Sequence, residues 1–409
     1  MTDLPIEAVV AGHICLDFIP GVPSAVDSLE KLLVPGKLTN VDAAVISTGG
    51  AVSNTGIALH RLGVPTRLMG KIGDDFIGRA ILEVLRSHGK ALPRGMIIDG
   101  NVSSSYTLVL NPPGVDRMFL HYGGANDSFS AADVDIYEIH QARLFHFGYP
   151  PILRRMYQEN GEELVRLFSS VKTTGVTTSL DMAYPDPQSE AGQADWPSIL
   201  QRTLPYVDVF LPSLDEMLFL LRHPRSGELQ EKTAAGEPFE CDETLLREIS
   251  GTLLDMGTAI VVLKLGDQGL YLRTTDQRER LAAAGELLES RPGPWLAREL
   301  YAPCFRVEVA GTTGAGDATI AGFLAGLLKA ASPEESMTTA VGVGAYNVEQ
   351  PDAISGIPDW ETVRRRIAEG WARRDVTVDL NGWTQDAQTH LWKSSPDGGE
   401  TAGSPSGEE

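Results

Sequence analysis

Apolar residues along this chain fall into two alternating kinds of run. Short runs rich in β-branched residues occupy 8–14, 66–71, 144–147, 177–181, 207–211, 259–265 and 305–309. Several are apolar almost without interruption, as strands buried on both faces require. Between them lie longer stretches with apolar residues three and four apart, at 53–62, 76–88, 162–171, 243–256, 315–330 and 335–347, which predict amphipathic helices. The alternation predicts an α/β fold, a mainly parallel sheet with helices on both faces.

Two segments, 18–47 and 95–124, break the alternation. The second reads as a hairpin, with strands at 106–110 and 118–122 joined by the turn Asn111-Pro112-Pro113-Gly114. Together they predict a small β lid over the ligand edge of the sheet, which would exclude water during chemistry. Period-two alternation puts Ser105, Thr107 and Val109 on one face of that hairpin without saying which face meets a ligand. Two hydrophilic stretches, 223–238 and 274–294, read as surface excursions. One domain is expected over 1–375, followed by an extension over 376–409 whose Ser, Gly, Pro and acid content predicts disorder from about 394.

Composition narrows the function. The 409 residues are 42% hydrophobic, as in globular proteins, and carry a formal charge of −21. Such a surface repels nucleic acid, although a local patch can still hold a small anion such as a nucleotide triphosphate. Cys15, Cys241 and Cys304 stand too far apart in sequence to suggest a disulfide framework or a CxxC zinc site, which fits a reducing compartment. No apolar stretch reaches about 18 residues and the N-terminal region lacks a basic leader, so a cytoplasmic location is expected.

The segment Val307-Glu308-Val309-Ala310-Gly311-Thr312-Thr313-Gly314-Ala315-Gly316-Asp317 carries the clearest chemistry. A strand would deliver the chain to a turn of small residues, where Gly314, Ala315 and Gly316 leave backbone N–H groups at a helix N-terminus, a place that favours an anion. Asp317 follows in the first helical turn, where a carboxylate can accept a hydroxyl proton beside a transferred phosphoryl group. The plainer reading is a Gly-rich turn in which Asp317 merely starts a helix.

With these residues in view, the sequence resembles the ribokinase, or PfkB, family of carbohydrate kinases over roughly its first 370 residues. Gly311 to Asp317 with Ala318-Thr319-Ile320-Ala321-Gly322-Phe323 resembles the family's C-terminal signature. Gly49-Gly50-Ala51-Val52-Ser53-Asn54 through Gly63, then Gly70-Lys71-Ile72-Gly73-Asp74-Asp75-Phe76-Ile77-Gly78, resembles the N-terminal one. The resemblance implies a three-layer α/β/α sandwich with a β lid, and Mg²⁺-dependent transfer of the ATP γ-phosphoryl group to an alcohol. It implies Asp317 as base, with Gly314, Ala315 and Gly316 as the anion hole. It also implies acceptor contacts from Asp17 at the end of the first strand, and from Gly49, Gly50, Asn54 and Thr107. On the nucleotide side it implies Thr312, Thr313 and the loop Lys264-Leu265-Gly266-Asp267-Gln268-Gly269. Ser213 and Glu216 resemble the family's Asn-x-x-Glu element, through which Glu216 would act on Mg²⁺ by way of water.

Three departures qualify that picture. Gly311 replaces the Asp that helps hold a monovalent cation in the family, which argues against potassium activation. Ala51 stands where some members have Lys, and this argues against a phosphorylated acceptor. Ser213 stands where Asn is usual. A nucleoside kinase on the same scaffold is the alternative within the enzyme class, and a non-catalytic sugar or nucleotide sensor the alternative outside it. Fructose, ribose, a deoxy-gluconate and a nucleoside are not ranked by these residues. Oligomeric state also stays open, since an exposed lid edge can pair two subunits without having to. No GxxxxGK[ST], HExxH or GxSxG motif occurs.

Overall fold

The computed structural model describes residues 5–23, 28–110, 118–237 and 239–397. The turn Asn111-Pro112-Pro113-Gly114, Pro238 at the end of one hydrophilic stretch, and the tail beyond Asp397 lie outside the described residues. Ten strands form the main sheet, in the spatial order Thr384–Gln385, Trp392–Lys393, Glu299–Ala302, Leu270–Thr274, Ile260–Lys264, Val209–Phe210, Thr177–Asp181, Leu144–Gly148, Ala8–Gly12 and Thr66–Met69. From Ile260–Lys264 to Thr66–Met69 every neighbouring pair is parallel, and the remaining edge is antiparallel.

Successive side chains of the central strands enter opposite cores. Ala8 and Val10, like Ile260 and Val262, join the core on one face, and Val9, Ala11, Val261 and Leu263 join the other. Burial on both faces explains the uninterrupted apolar runs. Helices Ala51–Arg61, Ala315–Leu328 and Pro333–Val348 cover the first face, while Glu162–Lys172 and Glu243–Asp255 cover the second. The result is the α/β sandwich that the alternation predicts.

The lid is a four-stranded sheet, ordered Asp42–Gly49, Cys15–Gly21, Tyr106–Leu110 and Met118–Tyr122. It is somewhat larger than the segments 18–47 and 95–124, because the chain leaves the main sheet at Gly12 and enters the lid at Cys15. The run 66–71 likewise divides at Gly70, and Lys71–Gly73 pairs with Ile97–Asp99 in a separate two-stranded sheet.

Three expectations are corrected. Residues 305–309 form no strand: Phe305 makes one isolated bridge to Arg373, and Val309 is 59% exposed. The strand at that edge is Glu299–Ala302, immediately before Pro303, and beyond it the chain pairs only briefly with 372–374. The stretch 274–294 is more than a surface excursion. Leu281, Ala284, Leu287 and Leu288 pack into the core, and Arg280 reaches the fully buried Asp208 at 2.8 Å. Its many charged residues hide that apolar spacing in the sequence. Finally, order in the extension passes residue 394: Trp392–Lys393 pairs with Glu299–Ala302, Leu391 is fully buried, and Asp397 accepts from Arg298 Nε at 2.8 Å.

Among the described residues no helix is long and apolar enough to cross a membrane, and all three cysteines are free thiols.

Candidate active site

In an α/β sheet of this kind ligand sites form beyond the C-terminal ends of the parallel strands. Here those ends deliver His13, Tyr149, Asp181, Ser213 and Lys264, and the helix Ala315–Leu328 points its N-terminus at the same edge. Gly314, the residue before that helix, has φ +72°, and an added Cβ would lie 2.6 Å from Ala353, so the turn requires glycine. The N–H of Ala315 turns back to the Thr312 carbonyl at 3.3 Å. Those of Gly316 and Asp317 have no acceptor among the described residues, as expected for the first helical turn. The Gly314 N–H likewise has no acceptor among the described residues, so Gly314 and Gly316 of the expected three, together with Asp317, present open amides.

Asp317 is 3% exposed and lines a cleft of about 420 Å³ together with Gly314, Ala315, Gly316, Thr312 and Lys264. Its Oδ2 accepts from Asn54 Nδ2 at 2.9 Å and from the Tyr149 hydroxyl at 2.8 Å, and its Oδ1 accepts from Thr55 Oγ1 at 3.1 Å. Burial, and then the charges of Asp317 and Asp181, hold the Tyr149 phenol well above its ordinary range, so it remains a donor. Tyr149 also has φ +68°, an unusual conformation for a bulky residue, of the kind retained at sites where geometry matters more than strain. Asn54 Oδ1 is buried without a partner among the described residues. Because Asn54 Nδ2 must face the carboxylate, this orphaned acceptor calls for a donor from outside the protein.

The opposite wall is charged. Lys264 Nζ lies 2.6 Å from Asp181 Oδ1, and Ser213 and Glu216 close a reciprocal capping box, with the Ser213 N–H donating to Glu216 Oε2 at 2.7 Å. Burial opposes the charge on Lys264, but attraction to Asp181 and then Glu216 prevails and keeps its ammonium above the ordinary lysine range.

Residues 6–360 match the family model described as pfkB family carbohydrate kinase. The chain belongs to the PfkB family of carbohydrate kinases. Relatives include an uncharacterized sugar kinase of Archaeoglobus fulgidus, 26% identical over 302 residues that cover 74% of this chain and 98% of that protein. Fructokinase-1 of Oryza sativa subsp. japonica is 23% identical over 362 residues, covering 86% and 95%. The fold matches that of an Arabidopsis thaliana ribokinase solved with ribose and ATP, with a TM-score of 0.65 at 20% identity over 88% of this chain and 98% of that one.

In this PfkB-family kinase most residues singled out from the sequence converge on one cleft. Ser213, Glu216, Lys264, Gly266 and Thr312 line it with Asp317, whereas Thr313 is not among its lining residues. Gly269 instead closes the hairpin between Ile260–Lys264 and Leu270–Thr274, where a Cβ would lie 2.3 Å from the Ala302 carbonyl oxygen. At Gly311 a Cβ would lie 2.9 Å from Pro351, so the position has no room for the family's Asp without a shift.

Asp17 is not at the end of the first strand. It is the third residue of the lid strand Cys15–Gly21, opposite Ser47 and Thr107. Its Oδ1 accepts from the Cys15 thiol at 3.2 Å, and burial raises its pKa above the usual carboxylate range. Gly49 lies against it, since a Cβ there would meet Asp17 Oδ2 at 2.3 Å. Gly50, at φ +91°, sets the turn into the helix Ala51–Arg61, and a Cβ on it would lie 2.4 Å from His13 Nδ1. Ser105, Thr107 and Val109 occupy the buried face of the lid. Hydrogen bonds thus join Tyr149 to Asp317, and join His13, His121, Thr107, Cys15 and Asp17 to one another, with the Tyr149 and His13 ring centroids 6.3 Å apart between the two sets. Tyr149, Thr55, Asp181 and His13 were absent from the sequence reading. The C-terminal end of each parallel strand, its last residue for Asp181 and the next position for Tyr149 and His13, was the available signal, and Thr55 had only its adjacency to Asn54.

Proposed function

We propose that this kinase transfers the γ-phosphoryl group of ATP to a hydroxyl of a sugar or sugar-like alcohol, with Asp317 as general base. The observation that carries the reading is the environment of Asp317, a buried carboxylate at a helix N-terminus, fixed by three donors and adjoining two amides without acceptors among the described residues. A carboxylate offers about four lone-pair positions. Asn54 and Tyr149 use those of Oδ2, and Thr55 uses one of Oδ1. The remaining Oδ1 position is therefore the one we assign to the acceptor hydroxyl proton.

In this reading the amides of Gly316 and Asp317 and the Lys264 ammonium face charge that develops on the transferred group. The carboxylates of Asp181, Asp215 and Glu216 give the cleft the oxygen donors that suit Mg²⁺, with Glu216 acting through water. When bound, Mg²⁺ supplies charge neutralisation of the nucleotide phosphates. Asn54 Oδ1, Asp17 and Thr107 face the acceptor, and the lid covers it. Gly311 supplies no carboxylate for a monovalent cation.

An ADP-release screen across neutral sugars, sugar acids, sugar phosphates and nucleosides tests the reading. Release with an unphosphorylated sugar or sugar acid is expected. Turnover confined to nucleosides would instead establish the nucleoside kinase, and calorimetric binding of sugar and ATP without ADP release would establish a sensor. Exposed Val45, Ile46 and Leu120 on the lid, 56%, 52% and 59% accessible, suit pairing with a second copy. A monomeric mass by light scattering at working concentration removes that pairing.

A further inference from the structure

Under the lid, three side chains from different elements point their donor atoms at one spot. His13 follows the core strand Ala8–Gly12, Cys15 opens the lid strand Cys15–Gly21, and His121 lies on the outer lid strand Met118–Tyr122. One donor atom from each lies within 4.8 Å of the other two. His13 Nε2 and His121 Nε2 are 3.3 Å apart, and two imidazole nitrogens on a tetrahedral zinc ion, each about 2.0–2.1 Å from the metal, stand about 3.3–3.4 Å apart. The widest separation among the donors needs to shrink by about 1 Å to reach tetrahedral spacing.

Their surroundings suit a metal. Thr107 Oγ1, 3.0 Å from His121 Nδ1, can accept a hydrogen bond from the Nδ1–H and so leave Nε2 as the ligand atom, the usual outer support of a metal-bound histidine. Asp17 Oδ1 accepts from Cys15 Sγ at 3.2 Å but lies outside the three-donor group, which leaves the fourth position to water. Two imidazoles and a thiol form a borderline-soft donor set, unlike the carboxylate oxygens around Lys264 that suit Mg²⁺.

We propose that His13, Cys15 and His121 bind one thiophilic divalent ion of the Zn²⁺ class, which ties the lid to the core sheet beside Asp17. On binding, the Cys15 S–H bond breaks, the sulfur lone pair forms the bond to the metal, and one proton leaves to solvent for each ion bound. No oxidant or reductant is involved. The site adjoins Asp17 and Thr107, which we assign to the acceptor, but it is tested without acceptor or nucleotide, so it can fail while the kinase reading stands, and the reverse.

Co²⁺ titration of the full chain, without ATP or Mg²⁺, provides the test, because a thiolate ligand gives cobalt a near-ultraviolet charge-transfer band that oxygen ligands do not. One equivalent should saturate the band. Cys15→Ser should abolish it, Cys241→Ser and Cys304→Ser should leave it intact, and His121→Ala should weaken the affinity at least tenfold. His121 lies on the exposed lid strand, so that variant retains the fold. Zn²⁺ should displace the cobalt without net proton release, whereas Zn²⁺ titrated into the metal-free protein should release about one proton per ion in calorimetry across buffers of different ionisation enthalpy. Absence of the band in the wild-type protein, its persistence in Cys15→Ser, or unchanged affinity in His121→Ala would each overturn the site.

Discussion

On the sheet side of Asp317, the ionic groups Asp181, Glu216 and Lys264 stand at the ends of buried strands or in the first turn of a helix, with side chains that solvent barely reaches. On the lid side, Asp17, Thr107 and His121 stand on strands whose other face is open, and the contacts among them involve hydroxyl, thiol and imidazole groups. The sheet side is fixed by the same packing that folds the domain, so changes there cost stability. The lid side is attached to the core through polar contacts and a few apolar side chains such as Leu16 and Phe18, so changes at its polar groups should alter ligand preference and leave the fold standing.

Lys264→Met should have the largest effect, because it leaves Asp181 and Glu216 buried beside each other without their cation. A loss of about 3–5 kcal/mol is expected in urea unfolding. A loss under about 1 kcal/mol would place the ionic wall outside the folding core.

The second test is pH. His146 is fully buried on the central strand Leu144–Gly148, and burial, then the charge of Lys264, pulls it down to about 3. Unfolded, it titrates near its ordinary value of about 6.5. Below that pH the unfolded chain binds the extra proton, so the stability contributed by neutral His146 is complete above about 6.5 and declines as pH falls toward about 3. Between pH 7 and 5 this amounts to about 2 kcal/mol. Unfolding midpoints compared with His146→Gln, which should flatten the dependence, measure it.

On the lid, Asp17→Asn should raise the acceptor KM about 10–100-fold while unfolding free energy moves by less than about 1 kcal/mol. A stability loss as large as that of Lys264→Met would erase the contrast between the two sides. The smallest effect is expected at Asp75, whose carboxylate caps the helix Phe76–His88 through the Gly78 N–H at 2.7 Å and also accepts from Ser104. Asp75→Ala should cost about 1–2 kcal/mol, read as a lowered Tm with kcat unchanged.

The same contrast explains what the sequence made legible. Asp317, Gly314 and the capping pair Ser213 and Glu216 are local patterns, a few residues long, and their placement follows from a turn and a helix start. The strands with apolar residues on both faces were equally plain, apart from Glu299–Ala302, whose Glu and Tyr obscure it. The partners of Asp317 were not legible, because Thr55 and Tyr149 reach it across 262 and 168 residues of chain and nothing in either neighbourhood encodes the meeting. Asp17 was attributed to the wrong strand for a related reason. The run 8–14 continues smoothly into the lid, and only the three-dimensional departure at Gly12 separates the two sheets.

The most direct measurement is the single-turnover rate of Asp317→Asn with saturating ATP and the acceptor identified by ADP release. The account predicts a phosphoryl-transfer rate about 10²–10⁴-fold below wild type, with ATP affinity and Tm close to wild type. A rate within a few-fold of wild type would contradict it, and another group would then have to take the proton.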